Sequence, residues 1–117
     1  MANGITHFEI IGQNSSKLRE FYGKLFDWKI KVEKMGGGEY GMADTGGMPN
    51  GGITDPMPGG GSMVTIYVGV DDLEGTLKKA ESMGGKTVVP PTEIPGVVTF
   101  AQFKDPSGNV IGLTKNM

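Results

Sequence analysis

The 117 residues amount to 12.3 kDa, room for one domain of ordinary size and no second one. Eleven Lys plus Arg against thirteen Asp plus Glu leave a formal charge of −2 with no basic run, so no nucleic-acid partner is expected. Zero cysteines exclude disulfides and thiolate chemistry, and short, interrupted apolar stretches with no apolar centre in Met1 to Glu9 predict a cytoplasmic protein with no membrane partner.

In chain order, Ile5 to Ile11 reads as a strand, and Asn14 or Ser15 as the cap of a helix. Leu18, Phe21, Tyr22, Leu25 and Phe26 recur at i, i+3, i+4, i+7 and i+8, one apolar stripe on a helix ending near Asp27. Trp28 to Glu33 alternates apolar with charged residues, as a strand with one wet face does, and Trp28 is expected to pack at the helix-strand junction. Short strands follow near Glu39 to Thr45 and Gly51 to Thr54. Asp55 to Ser62, with two Pro and three Gly, reads as a linker.

Val64 to Val70 is the next strand, and Asp71 with Glu74 suggests a capping box for a helix whose stripe is Leu73, Leu77 and Ala80. Strands near Lys86 to Val89, Val97 to Phe103 and Asn109 to Thr114 complete the chain, the last two joined by the turn sequence Asp105-Pro106-Ser107-Gly108. The 21 glycines cluster at Gly36 to Gly38, Gly46-Gly47, Gly51-Gly52, Gly59 to Gly61 and Gly84-Gly85. They read as turns, because none has the strand-then-helix setting of a phosphate loop.

The second half repeats the first. Ile5-Thr6-His7-Phe8 aligns with Val64-Thr65-Ile66-Tyr67 at 64 − 5 = 59, and Gly52-Ile53 aligns with Gly112-Leu113 at 112 − 52 = 60. The expected architecture is α+β in one domain: two βαβββ repeats, about 4–55 and 63–115 with the linker at about 55–62. They form a curved mixed sheet around a central cup with helices on the outer face.

Four segments carry a resemblance: Ile5-Thr6-His7-Phe8-Glu9-Ile10, the run Phe21 to Ile30, Val68-Gly69-Val70-Asp71-Asp72-Leu73, and Asp105 to Leu113. Together they resemble the vicinal oxygen chelate superfamily, which holds glyoxalase I, bleomycin- and fosfomycin-resistance proteins and extradiol dioxygenases. The resemblance implies a cup in which enzymes hold a divalent metal with side chains from the first and last strand of each repeat. Here those positions read His7, Gly52, Ile66 and Gly112, so one of the four offers a donor. Metal sites need three or four donors, and the expectation is a protein without a cofactor. A divalent ion would need an unusual shell of His7 and Glu9 with Thr114 or Gln102.

Strand alternation puts His7 and Glu9 on the cup face, as the candidate catalytic pair. His7 either lines the cup as a hydrogen-bonded side chain without a chemical role, or titrates there as a general base or anion holder. Tyr40, Met42, Ile66, Phe100, Gln102 and Thr114 join His7 as candidate ligand-binding residues, whereas Tyr67 is expected to pack beneath the helices. Met35, Met42, Met48, Met57 and Met63 gather at loops and linker as adaptable apolar surface. The expected function is metal-free binding of a small molecule, as in bleomycin-resistance proteins, by a homodimer. The alternatives are a metal-dependent lyase, isomerase or dioxygenase, and a domain acting through self-association.

Overall fold

A computed structural model describes residues 2–35 and 38–116; the turn expected at Gly36 and Gly37 and the side chain of Met35 lie outside the described residues. The chain is α+β. Its elements run β1 (Ile5–Ile11), α1 (Ser15–Phe26), β2 (Lys29–Met35), β3 (Gly38–Asp44), β4 (Gly51–Thr54), β5 (Met63–Val70), α2 (Leu73–Ser82), β6 (Lys86–Ile94), β7 (Val98–Lys104) and β8 (Val110–Lys115), the order βαβββ twice. No helix among the described residues is long and apolar enough to cross a membrane. By contact density the chain divides into two compact units, residues 7–65, and the residues up to 6 with those from 66 onward.

In the unit of residues 7–65 the strand order is β2-β3-β4-β1. β1 runs parallel to β4, with Phe8 opposite Gly51 and Glu9 opposite Gly52, and the other pairs are antiparallel. Helix α1 is not capped by Asn14, which sits in the left-handed region at φ 58° and makes no capping bond. Instead Asp55 Oδ1, just after β4, accepts the Ser15 N–H at 2.8 Å, so the helix start is held by a residue 40 positions away. Trp28 packs at the helix-strand junction as expected, its ring 5.2 Å from Phe26, 5.9 Å from Tyr22 and 5.6 Å from Phe8 between centroids. The α1 stripe is less buried than its period suggests: Phe21, Leu25 and Phe26 remain 57%, 58% and 53% exposed, because the stripe is wider than the surface beneath it. Close approach is helped by Gly41, where a Cβ would strike the Arg19 stem.

The other unit has the order β5-β8-β7-β6, again one parallel pair (β5 with β8) and two antiparallel pairs. Its core is Val70, Leu73, Leu77, Ala101 and Leu113, with Val68 and Phe103 against it. The cap of α2 is Asp72, whose carboxylate accepts the Gly75 N–H at 3.1 Å, and not Asp71, which accepts from Asn116 Nδ2. β6 runs on through Pro90 and Pro91 to Ile94. Prolines cannot donate to a ladder, but β6 is the end strand of this order and its pairing shifts register between Thr87 and Thr92, so they are accommodated. The β7–β8 turn forms as expected: Asp105 accepts the Ser107 and Asn109 N–H groups, and Gly108 has φ 92°.

Two expectations about faces are corrected. Val68 and Val70 lie against α2, so by alternation Ile66 faces the helix side and Tyr67 the opposite face, where its ring is buried. Tyr67 pairs with Gly112 and receives a hydrogen bond from Gln102 Nε2 at 2.9 Å, and Gln102 alternates with the core residues Ala101 and Phe103. The offset of 59 in β1 is therefore the misleading one. Applied to strands, an odd offset exchanges the two faces, whereas 60 matches His7 to Tyr67 and Gly52 to Gly112.

Candidate functional site

β1 and β3 place three polar side chains together on the face of the 7–65 unit opposite α1. His7 Nε2 lies 2.8 Å from the Tyr40 hydroxyl, which in turn donates to Glu9 Oε2 at 2.7 Å. The two residues flanking Phe8 in β1 thus close on one phenol that reaches from β3 across β4, over Gly52. Since a carboxylate only accepts, the Tyr40 proton goes to Glu9, and His7 must then donate its Nε2–H to the phenol oxygen. The neutral imidazole is held as the Nε2–H tautomer, with its lone pair on Nδ1. Burial holds the His7 pKa below 6.5, and the nearby Glu9 charge offsets this in part, so the ring is uncharged at neutral pH.

A groove of about 380 Å³ opens beside this chain of hydrogen bonds. It is lined by His7 and Met42, by Lys29, Ile30 and Lys31 of β2, and by Asp44 and Asn50. Lys29 lies opposite Asp44 and Lys31 opposite Met42 across the β2–β3 ladder, which carries both lysine stems to the wall. Lys31 Nζ is 3.4 Å from Glu33, in an exposed pair of little energetic weight. Asn50 Oδ1 accepts from Thr45 N at 3.0 Å, which fixes the amide orientation and leaves its NH₂ as the donor.

In the second unit, Tyr67, Phe100, Gln102 and Thr114 share the face opposite α2. The Tyr67 and Phe100 rings meet edge to face at 6.5 Å, and the Thr6 and Thr114 hydroxyls are 2.9 Å apart. The candidate residues therefore fall into two sets, His7, Glu9, Tyr40 and Met42 in one unit and Phe100, Gln102 and Thr114 in the other, while Ile66 leaves the list for the α2 side. Sequence reasoning missed Tyr67, Lys29, Lys31, Asp44 and Asn50. The wet face of β2 announced the lysines, but only the β2–β3 register brings them to His7.

The residues do not fit the divalent metal that the superfamily resemblance implies. A Cβ at Gly52 would land on the Tyr40 phenol and a Cβ at Gly112 on the Tyr67 ring, so tyrosines fill the space from which ligands would come. The two donors that do stand on β1, His7 Nε2 and Glu9 Oε2, are both engaged by Tyr40. Among the described residues no group of three or more His, Cys, Asp and Glu side chains converges.

Two βαβββ repeats, each ending its strand order on a parallel pair and turning polar side chains away from its helix, make the arrangement of a known superfamily. The chain belongs to the glyoxalase/bleomycin resistance protein/dioxygenase superfamily, whose model matches residues 4–113. Among curated proteins it is 34% identical over 85 residues to the proposed glyoxylase CFP32 of Mycobacterium bovis and of Mycobacterium tuberculosis, over 72% of this chain and 33% of theirs. The chain thus spans about a third of the length of these relatives. Among solved structures, hypothetical protein BH1468 from Bacillus halodurans matches all of this chain and 96% of its own with a TM-score of 0.78 at 13% identity. Methylmalonyl-CoA epimerase from Mycobacterium tuberculosis follows at 0.72 and 14%, over 97% and 88%. The 2,2',3-trihydroxybiphenyl 1,2-dioxygenase of Sphingomonas wittichii gives 0.65 and 12%, over 97% and 42%. At such identities these structures speak to the fold alone.

Proposed function

We propose that this chain binds a small organic molecule in the groove beside His7 without a resident metal ion, in the manner of the bleomycin-resistance branch of its superfamily. The observation that carries the reading is the His7–Tyr40–Glu9 chain of hydrogen bonds bordering a groove of about 380 Å³. It fixes an imidazole at the wall of a ligand-sized space, where one hydrogen-bonding group beside apolar Met42 can orient a bound molecule.

The chain has one histidine, so a ¹⁵N-labelled imidazole reports on this site alone. A screen of small aromatic and apolar compounds should include members that shift the His7 ring signals, and His7→Ala should weaken their binding roughly tenfold with an unchanged far-ultraviolet circular dichroism spectrum. Loss of the folded spectrum in His7→Ala would make the role structural. Protein purified without chelator should carry less than stoichiometric divalent metal, and a stoichiometric ion bound at His7 would overturn the metal-free reading.

A second reading, an isomerase, is favoured by the neutral state in which burial keeps His7. An imidazole with its lone pair on Nδ1 can take a proton from carbon α to a carbonyl: the C–H bond breaks, its electron pair forms the enolate, and the imidazolium returns the proton to carbon. Deuterium entering a 2-oxo acid in D₂O faster with wild-type protein than with His7→Ala would favour this reading over binding alone.

A further inference from the structure

We infer that the groove beside His7 takes a carboxylate: Lys29 and the Asn50 amide hold the ligand's negative end while its apolar body lies on Met42, facing His7. The inference rests on the binding reading above and names the chemical class of the molecule bound.

Three observations support it. Lys29 lines the groove, and among the described residues no carboxylate oxygen comes within 4.0 Å of its ammonium, whereas Lys31 has Glu33 at 3.4 Å. Across the ladder from Lys29, Asp44 points its Oδ1 to the Gly46 N–H at 2.9 Å, a backbone bond that occupies it locally. Asn50 presents its NH₂, because the Thr45 N–H donates to its oxygen at 3.0 Å, the Thr45 hydroxyl standing 3.3 Å from both that oxygen and the Pro49 carbonyl. A planar carboxylate bridging an ammonium and an amide NH₂ would make two charge-assisted bonds that neither donor makes among the described residues.

Charge selects among anions. The groove wall carries two ammonium groups against the one carboxylate of Asp44, a surplus of one positive charge that a monoanion balances and a phosphate dianion exceeds. The Met42 side chain lines the same space, which favours an acid with a short hydrocarbon body over a bare ion.

The test uses butyrate, butyramide and methyl phosphate as probes of the full chain, read by the ¹H–¹⁵N signals of the Asn50 side-chain amide and the His7 ring. Butyrate should shift both sets of signals in a saturable way, with methyl phosphate and butyramide each at least roughly fivefold weaker. Lys29→Gln should weaken butyrate roughly tenfold and leave butyramide unchanged, and Lys31→Gln should change butyrate less than about threefold. Butyramide binding as well as butyrate, or Lys29→Gln without effect, would overturn the carboxylate assignment while leaving the groove a binding site. Tighter binding of methyl phosphate would reassign the anion and overturn it too. If none of the three probes moves the His7 or Asn50 signals while compounds of the aromatic screen do, the carboxylate fails alone; if those also leave His7 unmoved, the binding reading falls with it.

Discussion

At the scale of single residues, Tyr40 decides the chemistry available to His7. Its hydroxyl has one proton, which Glu9 takes, and this directs the histidine proton onto Nε2. Replacing the phenol by Tyr40→Phe keeps the ring over Gly52 but removes the shared atom. The variant should lose about 1 to 2 kcal/mol of stability, because partly buried groups of His7 and Glu9 each give up a hydrogen bond. The ring nitrogens of His7 supply a sharper readout. In the wild type above its titration, one nitrogen, Nε2, should carry the proton, and in Tyr40→Phe the two tautomers should mix. A wild-type ring protonated at Nδ1 would contradict the direction of the relay.

At the scale of elements, the pairing of β3 with β4 matters more than either strand's composition. Gly52 lies opposite Met42 in the ladder and directly beneath the Tyr40 ring. Gly52→Ala should therefore cost about 1 to 3 kcal/mol, the range for overpacking, and should also push the phenol off His7 and Glu9. Combined with Tyr40→Ala the penalty of the added methyl should shrink, so a double-mutant cycle measured by urea unfolding would show costs that do not add. Additive costs would mean that the ring and the glycine are not in contact. The same element-level view explains why the cap of α1 was hidden: Asn14 has the right residue type at the right place, yet the bond comes from Asp55, which only the return of β4 brings near.

For the whole molecule, the order βαβββ twice was legible because helix stripes and glycine-rich turns are local patterns, and the duplicated segments pointed to the superfamily. What strand periodicity alone leaves undetermined is phase. Offsets of 59 and 60 look equivalent in the sequence and are opposite in the sheet, so the offset of 59 puts Ile66 on the face opposite α2, where Tyr67 stands. His7, Glu9, Tyr40 and Met42 were found by alternation within one strand, whereas Lys29 and Asn50 depend on cross-strand register. The same buried histidine links the local site to the global folding equilibrium. Its folded pKa lies below the unfolded value of 6.5, so between the two the unfolded chain binds more protons. That contribution to stability is fully present above about pH 6.5 and is lost as pH falls through the folded pKa. With one histidine and no cysteine, little else among the side chains titrates between about pH 5 and 8. Urea unfolding followed by Trp28 fluorescence, a probe within the same unit as His7, should give midpoints that decline from pH 7 to pH 5. His7→Gln should flatten that decline, since the amide has no proton to gain, and an equally steep decline in the variant would show that the acid sensitivity resides in the carboxylates instead.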